Sequence, residues 1–346
     1  MKTYTVGLEN GDFKTLNEAA AALKGGREVT ILKIEPGEYR ESVVFECSNL
    51  TIDGEDNSLV TICDGRYAKM KDADGSDIGT FNTAVLRIDG ENNILKNLTV
   101  INDAGIGFDI GQAVALYADG DTFICENCIL IAHQDTLFTA PLPLLNKHGK
   151  NEGFGPKQDM PRTPSLQCFN NCYIEGDIDF IFGGATVLFT ECTIFSHDSI
   201  AERRRRKMIA SFDNDFNHIA SNACRGYVCA PSTDKDLEFG YLFYRCHFTS
   251  DCPKGTVYLG RPWRPYGKAA FLFCTLGEHI NPALFNDWDD KKNRETSDFV
   301  LGGCVRVDGS PVTSYDENGF GSFISDDEAE TYIRKFENFA EGRHGN

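Results

Sequence analysis

One short pattern recurs along this 346-residue chain and narrows what it can fold into. The segments Cys125–Leu130 (CENCIL), Phe169–Ile174 (FNNCYI), Phe189–Ile194 (FTECTI), Phe243–Phe248 (FYRCHF) and Leu272–Leu276 (LFCTL) share one design. Each runs from apolar residues through a polar or charged one to a cysteine, then continues with alternating apolar positions. Leu95–Val100 (LKNLTV) and Cys47–Ile52 (CSNLTI) read as looser copies. The step from Cys172 to Cys192 matches one coil of a parallel β-solenoid, about 20 to 25 residues. Equivalent positions of successive coils then stack about 4.8 Å apart. A free thiol, a small and weakly polar hydrophobe, fits an interior ladder of that spacing. Most of the thirteen cysteines therefore read as core filler. Their odd count rules out complete internal pairing, and the lone CxxC at Cys125 and Cys128 is weak evidence for metal or redox work.

The intervening sequence agrees with that frame. Val29–Ile34, Leu50–Ile52, Val85–Ile88, Ala113–Leu116 and Gly255–Leu259 are short, β-prone and bounded by Gly, Asp or Asn. One helix is expected at Thr15–Leu23, where Thr15 and Glu18 have the spacing of a capping box and Gly25-Gly26 closes the segment. It would plug the N-terminal end of the solenoid, whose open strand edges otherwise invite aggregation. A second helix, Asp326 to Phe339, is expected to do similar work at the other end. The stretch Thr139 to Gln167, rich in Pro, Gly, Lys and Asn, reads as an extended loop that walls a cleft rather than as a linker, because the repeat resumes after it. The whole chain, 1–346, is thus expected to be one all-β domain: a single-stranded right-handed parallel β-helix with an N-terminal capping helix and long loops forming a cleft.

Charge excludes some partners. With 34 basic and 52 acidic residues the chain carries a net −18, the reverse of a duplex-binding protein. The five basic residues Arg203 to Lys207 read as a solvated loop, with local attraction for an acidic sugar polymer as the sharper alternative. No apolar run is long enough to span a membrane. The segment Met1–Val6 lacks the features of a signal peptide. Together with the unpaired cysteines, this leads us to expect a monomer in a reducing cytoplasm, the alternative being a secreted protein.

Four further segments carry chemistry: Gly111–Leu116 (GQAVAL), His133–Leu137 (HQDTL), Gly176–Gly183 (GDIDFIFG) and Tyr258–Trp263 (YLGRPW). On a β-helix, residues from separate coils can line up on one face, so Gln112, Gln134, Asp135, Asp179 and Arg261 can converge although far apart in sequence. Two carboxylates sharing a cleft push one pKa upward, leaving one ionised and one holding a proton. In this order, and with Gly37–Glu41 (GEYRE) upstream, the segments resemble the signature motifs of the pectin methylesterase (pectinesterase) family, over about Val6 to Trp288. The long loops look closer to its bacterial members.

The resemblance implies hydrolysis of the methyl esters of galacturonic acid in homogalacturonan or its oligosaccharides. It implies Asp179 as nucleophile, Asp135 as general acid and then base, and Gln112 and Gln134 as oxyanion donors. Arg261 would hold Asp179 ionised and aimed, and Trp263, Phe138, Thr80 and Phe182 would contact substrate. No cofactor and no metal are implied. Phe182 also reads, with Phe180, as part of a stacked core ladder, since the two alternate at strand spacing. Two departures stand out: Phe138 follows QDTL where the family often has tyrosine, and Asp177 precedes the nucleophile by two residues. Asp177 either raises the pKa of Asp179 or points into solvent. Rival readings are the same mechanism on another acyl ester, a pectate lyase, which would be expected to need a carboxylate calcium cage, a polygalacturonase, and a glycan-binding solenoid without activity.

Overall fold

The computed structural model describes residues 1–144, 163–210 and 223–344. Three parallel sheets of eleven, nine and seven strands run along the molecule, and each coil contributes one strand to each sheet through most of its length. This is a right-handed parallel β-helix. The helices are α1 (Leu16–Leu23), α2 (Gly107–Ile110), α3 (Ser199–Ala210), α4 (Lys292–Thr296) and α5 (Asp326–His344).

The recurring hexapeptide marks one corner of the coil. Asn97, Asn127, Asn171, Glu191, Arg245, Phe273 and Gly303 have φ between 49° and 62°, and each links a strand of the eleven-stranded sheet to one of the nine-stranded sheet. Only a single left-handed residue turns the chain there, a conformation asparagine tolerates better than most side chains. The next residue points straight inward: Leu98, then Cys128, Cys172, Cys192, Cys246, Cys274 and Cys304, all buried. Each thiol reaches a backbone carbonyl of the preceding coil, such as Cys192 Sγ to Phe169 O at 3.2 Å and Cys274 Sγ to Phe243 O at 3.3 Å. Weak donation from S–H explains why cysteine serves better here than a purely apolar residue of the same size. The segment Cys47–Ile52 is not a copy of this corner. Its left-handed Asn49 leads into the eleven-stranded sheet through Leu50–Asp53.

Beside the thiols runs an aromatic stack. Phe169, Phe189, Phe243 and Phe271 follow one another at 5.1, 4.6 and 4.8 Å, the last two pairs only 8° from parallel. All thirteen cysteines are free and ten of them are buried. Burial raises a thiol's pKa and blocks reagents, so reactivity falls with depth. Brief alkylation of native protein is therefore expected to label exposed Cys224 first, Cys168 and Cys252 slowly, and the ten ladder and core thiols only after unfolding. Mass mapping of the labelled peptides checks this.

Most expected elements are found, with corrections. α1 starts with the anticipated capping box: Thr15 accepts from the Glu18 backbone amide while Glu18 reaches back, and Leu16, Ala19 and Ala20 enter the core. The strand expected at Ala113–Leu116 begins only at Leu116, because 113–115 form the corner before it. α5 runs five residues beyond the expected end and does not plug the solenoid. It lies along the outer face of the eleven-stranded sheet, where Ala329 and Phe336 pack with Val300, Leu272, Leu242 and Leu166. Arg343 ties its far end to Asp121 at 2.7 Å. Arg203 to Arg206 are helical rather than a loop: their α3 places Arg203 2.6 Å from Asp109 and Arg206 against Glu202. The loop expected over Thr139 to Gln167 is bounded by strands Leu137–Thr139 and Leu166–Asn170, and its centre lies outside the described residues.

Candidate active site

The seven-stranded sheet positions the candidate residues. Register pairs Leu116 with Leu137, Leu137 with Ile181, Ile181 with Cys229 and Cys229 with Gly260. Gln112 and Gln134 precede their strands by a few residues, Asp135 falls opposite Asp179 in the next coil, and Arg261 directly follows Gly260. Asp135 and Asp179 both have left-handed backbones, with φ of 69° and 51°. Strain of this kind collects where a side chain must be aimed against the ordinary alternation. At Asp179 it coincides with a bulge, since the register against strand Gly226–Pro231 shifts between Ile178 and Ile181. One extra residue re-aims the side chains beyond it. Phe180 and Ile181 therefore both enter the core, whereas Phe182 faces the cleft, so Phe180 and Phe182 do not share a ladder as strand spacing suggested. Gly176 makes room for the turn, because a Cβ there would lie 2.2 Å from that of Phe180.

These elements enclose a cavity of about 520 Å³. Gln112, Gln134, Asp135, Asp179, Arg261, Thr80, Phe182 and Trp263 all line it. Phe138 does not, correcting its expected role in contacting substrate. It is buried beneath the wall, with its ring 4.8 Å from Phe182, 4.8 Å from Phe81 and 4.7 Å from Tyr117. A tyrosine hydroxyl would need a polar partner there, and phenylalanine needs none. Three participants were missed from sequence: Phe81 and Trp288 in the lining, and Tyr227 behind Arg261. Trp288 had a signal, being one of only two tryptophans.

The two aspartates are almost equally buried, 8% and 7% exposed, but differ in partners. Asp179 accepts a two-pronged hydrogen bond from Arg261, Nε to Oδ1 at 2.8 Å and Nη2 to Oδ2 at 2.7 Å. The guanidinium is itself sandwiched 3.7 Å from the ring of Tyr227 and 3.7 Å from that of Trp288. Such a fork is both stronger and more directional than a single contact. Burial raises the pKa of Asp179, Arg261 pulls it back, and the net shift is upward. Asp135 has no such clamp. Burial, then the charges of Asp179 and Asp177, push its carboxyl well above the usual range, and Arg261 only partly opposes them. Asp135 is thus the stronger proton holder of the two.

Asp177 does not point into solvent. It is buried, accepts from Ser199 Oγ and lies 3.6 Å from His133 Nδ1, and its charge raises both catalytic-site carboxyls. The glutamine amides are half-buried in the cavity wall, and among the described residues neither has a hydrogen-bond partner. Gly107 sets the position of Gln134, since a Cβ there would approach Gln134 Cβ to 2.7 Å. The lining supplies two carboxylates and neither imidazole nor thiol.

A carboxylate clamped by arginine, a second carboxyl pushed upward by burial and its neighbours, and two amides around one cavity are groups suited to a carboxylic ester hydrolase. The pectinesterase family model matches residues 5–142 and 161–300, and the chain belongs to that family. It is 27% identical over 332 residues to pectinesterase 31 of Arabidopsis thaliana, covering 94% of this chain and 88% of that one. It is 28% identical to pectinesterase 1 of Solanum lycopersicum over 81% of this chain, and spans 43% of that relative's length. Among the other curated relatives, it spans 24% of a putative pectinesterase/pectinesterase inhibitor of A. thaliana. A pectin methylesterase solved with a hexasaccharide superposes with a TM-score of 0.72 at 24% identity, over 95% of this chain and 94% of that one. PemA of Erwinia chrysanthemi gives 0.70 at 23%, over 96% and 94%.

Proposed function

We propose that this chain hydrolyses methyl esters of galacturonic acid in pectin or its oligosaccharides by an aspartyl mechanism. The observation that carries the proposal is the asymmetry between two equally buried acids, only one of which is clamped by arginine. Ionised Asp179 attacks the ester carbonyl carbon, and the carbonyl π electrons move to oxygen, where Gln112 and Gln134 donate to the oxyanion. Collapse expels the methoxy oxygen, which takes the proton of Asp135 and leaves as methanol, with an acyl anhydride on Asp179. Asp135, now a carboxylate, deprotonates the incoming water. The second collapse frees the galacturonate, and Asp179 and Asp135 return to their starting states. Phe182 and Trp263, in edge contact at 5.9 Å, offer the apolar wall for a sugar ring.

Incubation with methyl-esterified oligogalacturonides is expected to release methanol while leaving chain length unchanged. Shortened or unsaturated products would point to a lyase or galacturonase instead. Activity confined to other acyl esters would keep the mechanism and change the substrate. Gln134→Ala is expected to lower kcat about 10²- to 10³-fold, the value of one oxyanion donor at about 2.7–4 kcal/mol, with KM little changed.

The protein is further proposed to act as a monomer inside the cell, on imported short substrates, without nucleic acid or membrane. Free thiols and the net charge of −18 support this reading. Among the described residues no helix is long and apolar enough to cross a membrane. Fractionation of native cells tests the location, and finding the protein outside them would reject it. Sedimentation tests the monomer.

A further inference from the structure

A second polar cluster shares no residue with the cavity lining. His133, just before Gln134, His197, just after strand Thr193–Ser196, and Glu202, in the first turn of α3, each offer one ligand atom, and these atoms lie within 4.8 Å of one another. Both imidazoles aim Nε2 at the same oxygen. Glu202 Oε2 stands 2.7 Å from His197 and 3.8 Å from His133. The opposite ring nitrogens face acceptors. His133 Nδ1 is 3.0 Å from Ser199 Oγ, which in turn donates to Asp177. His197 Nδ1 lies 3.7 Å from Glu175 Oε1 and 3.7 Å from Asp251 Oδ2. Carboxylates and hydroxyls behind the far nitrogen are how metal-binding imidazoles are held in one orientation.

Distances separate this from a plain hydrogen-bonded network. One proton satisfies the His197–Glu202 contact, but it leaves His133 Nε2 beyond hydrogen-bond reach of the same oxygen. Ligands of a tetrahedral ion bound at about 2.0–2.1 Å stand about 3.3 Å apart, which the two observed separations bracket. Arg206 engages the other oxygen, Glu202 Oε1, and so leaves Oε2 to face the rings.

We propose that His133, His197 and Glu202 bind a divalent transition ion of the zinc class, with the fourth position open to water. The ion takes no part in ester hydrolysis. It clamps α3 to the chain that leads directly into Gln134 and Asp135, a junction otherwise held by short polar contacts.

The test uses the full chain, treated with chelator and desalted, then titrated with Zn²⁺ in a calorimeter and with Co²⁺ in a spectrophotometer. Thirteen thiols make the spectrum essential, because cobalt bound by sulfur shows a strong charge-transfer band and cobalt bound by imidazole and carboxylate does not. The expected result is one equivalent of zinc in the wild type and in Cys224→Ser, visible cobalt bands without the sulfur band, and a thermal midpoint raised by several degrees at saturating zinc. His197→Gln and Glu202→Gln should each lose at least tenfold in affinity while melting, metal-free, within a few degrees of the wild type. No zinc-dependent shift in the wild type, undiminished binding in either variant, or a sulfur band would overturn the site. The wild-type spectrum decides even where a variant fails to fold.

Discussion

Asp179→Asn is expected to lower kcat for methanol release by about 10⁴-fold or more, with KM changed only a few-fold. The amide has nearly the shape of the carboxylate but accepts only one of the two Arg261 donors and turns its own N–H toward the other, so the substitution removes the negative charge assigned to attack and half of the fork. The neighbourhood makes this a sharp test. Arg261 is held between Tyr227 and Trp288, so its position does not depend on Asp179 alone, and the cavity should keep its form. Burying a cation without its carboxylate still has a cost, and a loss of up to about 3–5 kcal/mol in stability is the upper bound for breaking such a pair. Melting curves measured beside the kinetics separate that cost from the chemical one. A variant that melts like the wild type and retains more than about 1% of kcat would remove Asp179 from the role of nucleophile. Arg261→Gln gives the complementary result. Without the clamp, burial and the charge of Asp177 act on Asp179 unopposed, its pKa climbs, and the acidic limb of the activity profile should move to higher pH.

The coil and the candidate acids of the cavity were legible in the sequence for different reasons. A β-helix repeats its corner in every coil, so the left-handed residue and the inward cysteine after it recur from Asn127-Cys128 to Gly303-Cys304 and announce the fold. The candidate site residues occur once each and were readable only through the family's motifs. Physical reading alone could place them on one sheet but not aim them. What strict alternation missed came from departures from regularity. The bulge at Asp179 sends Phe180 inward and Phe182 to the cleft, a difference that period-2 spacing cannot express. Phe138 lines up with Phe182 in register, yet it is covered by Phe81, which comes from the turn Thr80–Asn82, far upstream and with no pattern of its own. α5 looked like an end plug because its apolar face needed a partner, and sequence does not say whether that partner is an end or a flank.

Asp135→Asn should separate activity from stability in opposite directions. In the proposed mechanism its carboxyl delivers the proton to methanol and later takes one from water, so both halves of the reaction should suffer, and a loss of about 10²- to 10⁴-fold in kcat is expected, with the alkaline limb of the profile abolished. Stability should move the other way. Burial and two neighbouring acids hold the folded-state pKa of Asp135 well above the unfolded value, about 3.9. Between those two values the folded chain binds more protons than the unfolded one, so wild-type stability falls as pH rises through that window. Below it the acid is neutral in both states and contributes no such term; above it the full penalty of a buried charge is present. Asparagine never ionises and escapes the penalty. The gap between variant and wild-type Tm should therefore open from about pH 4 upward and level off once Asp135 is ionised in the folded protein. A gap that stays flat with pH, or one that closes as pH rises, would mean that position 135 is an ordinary ionised carboxylate, and the proton it is assigned to deliver would have to come from elsewhere.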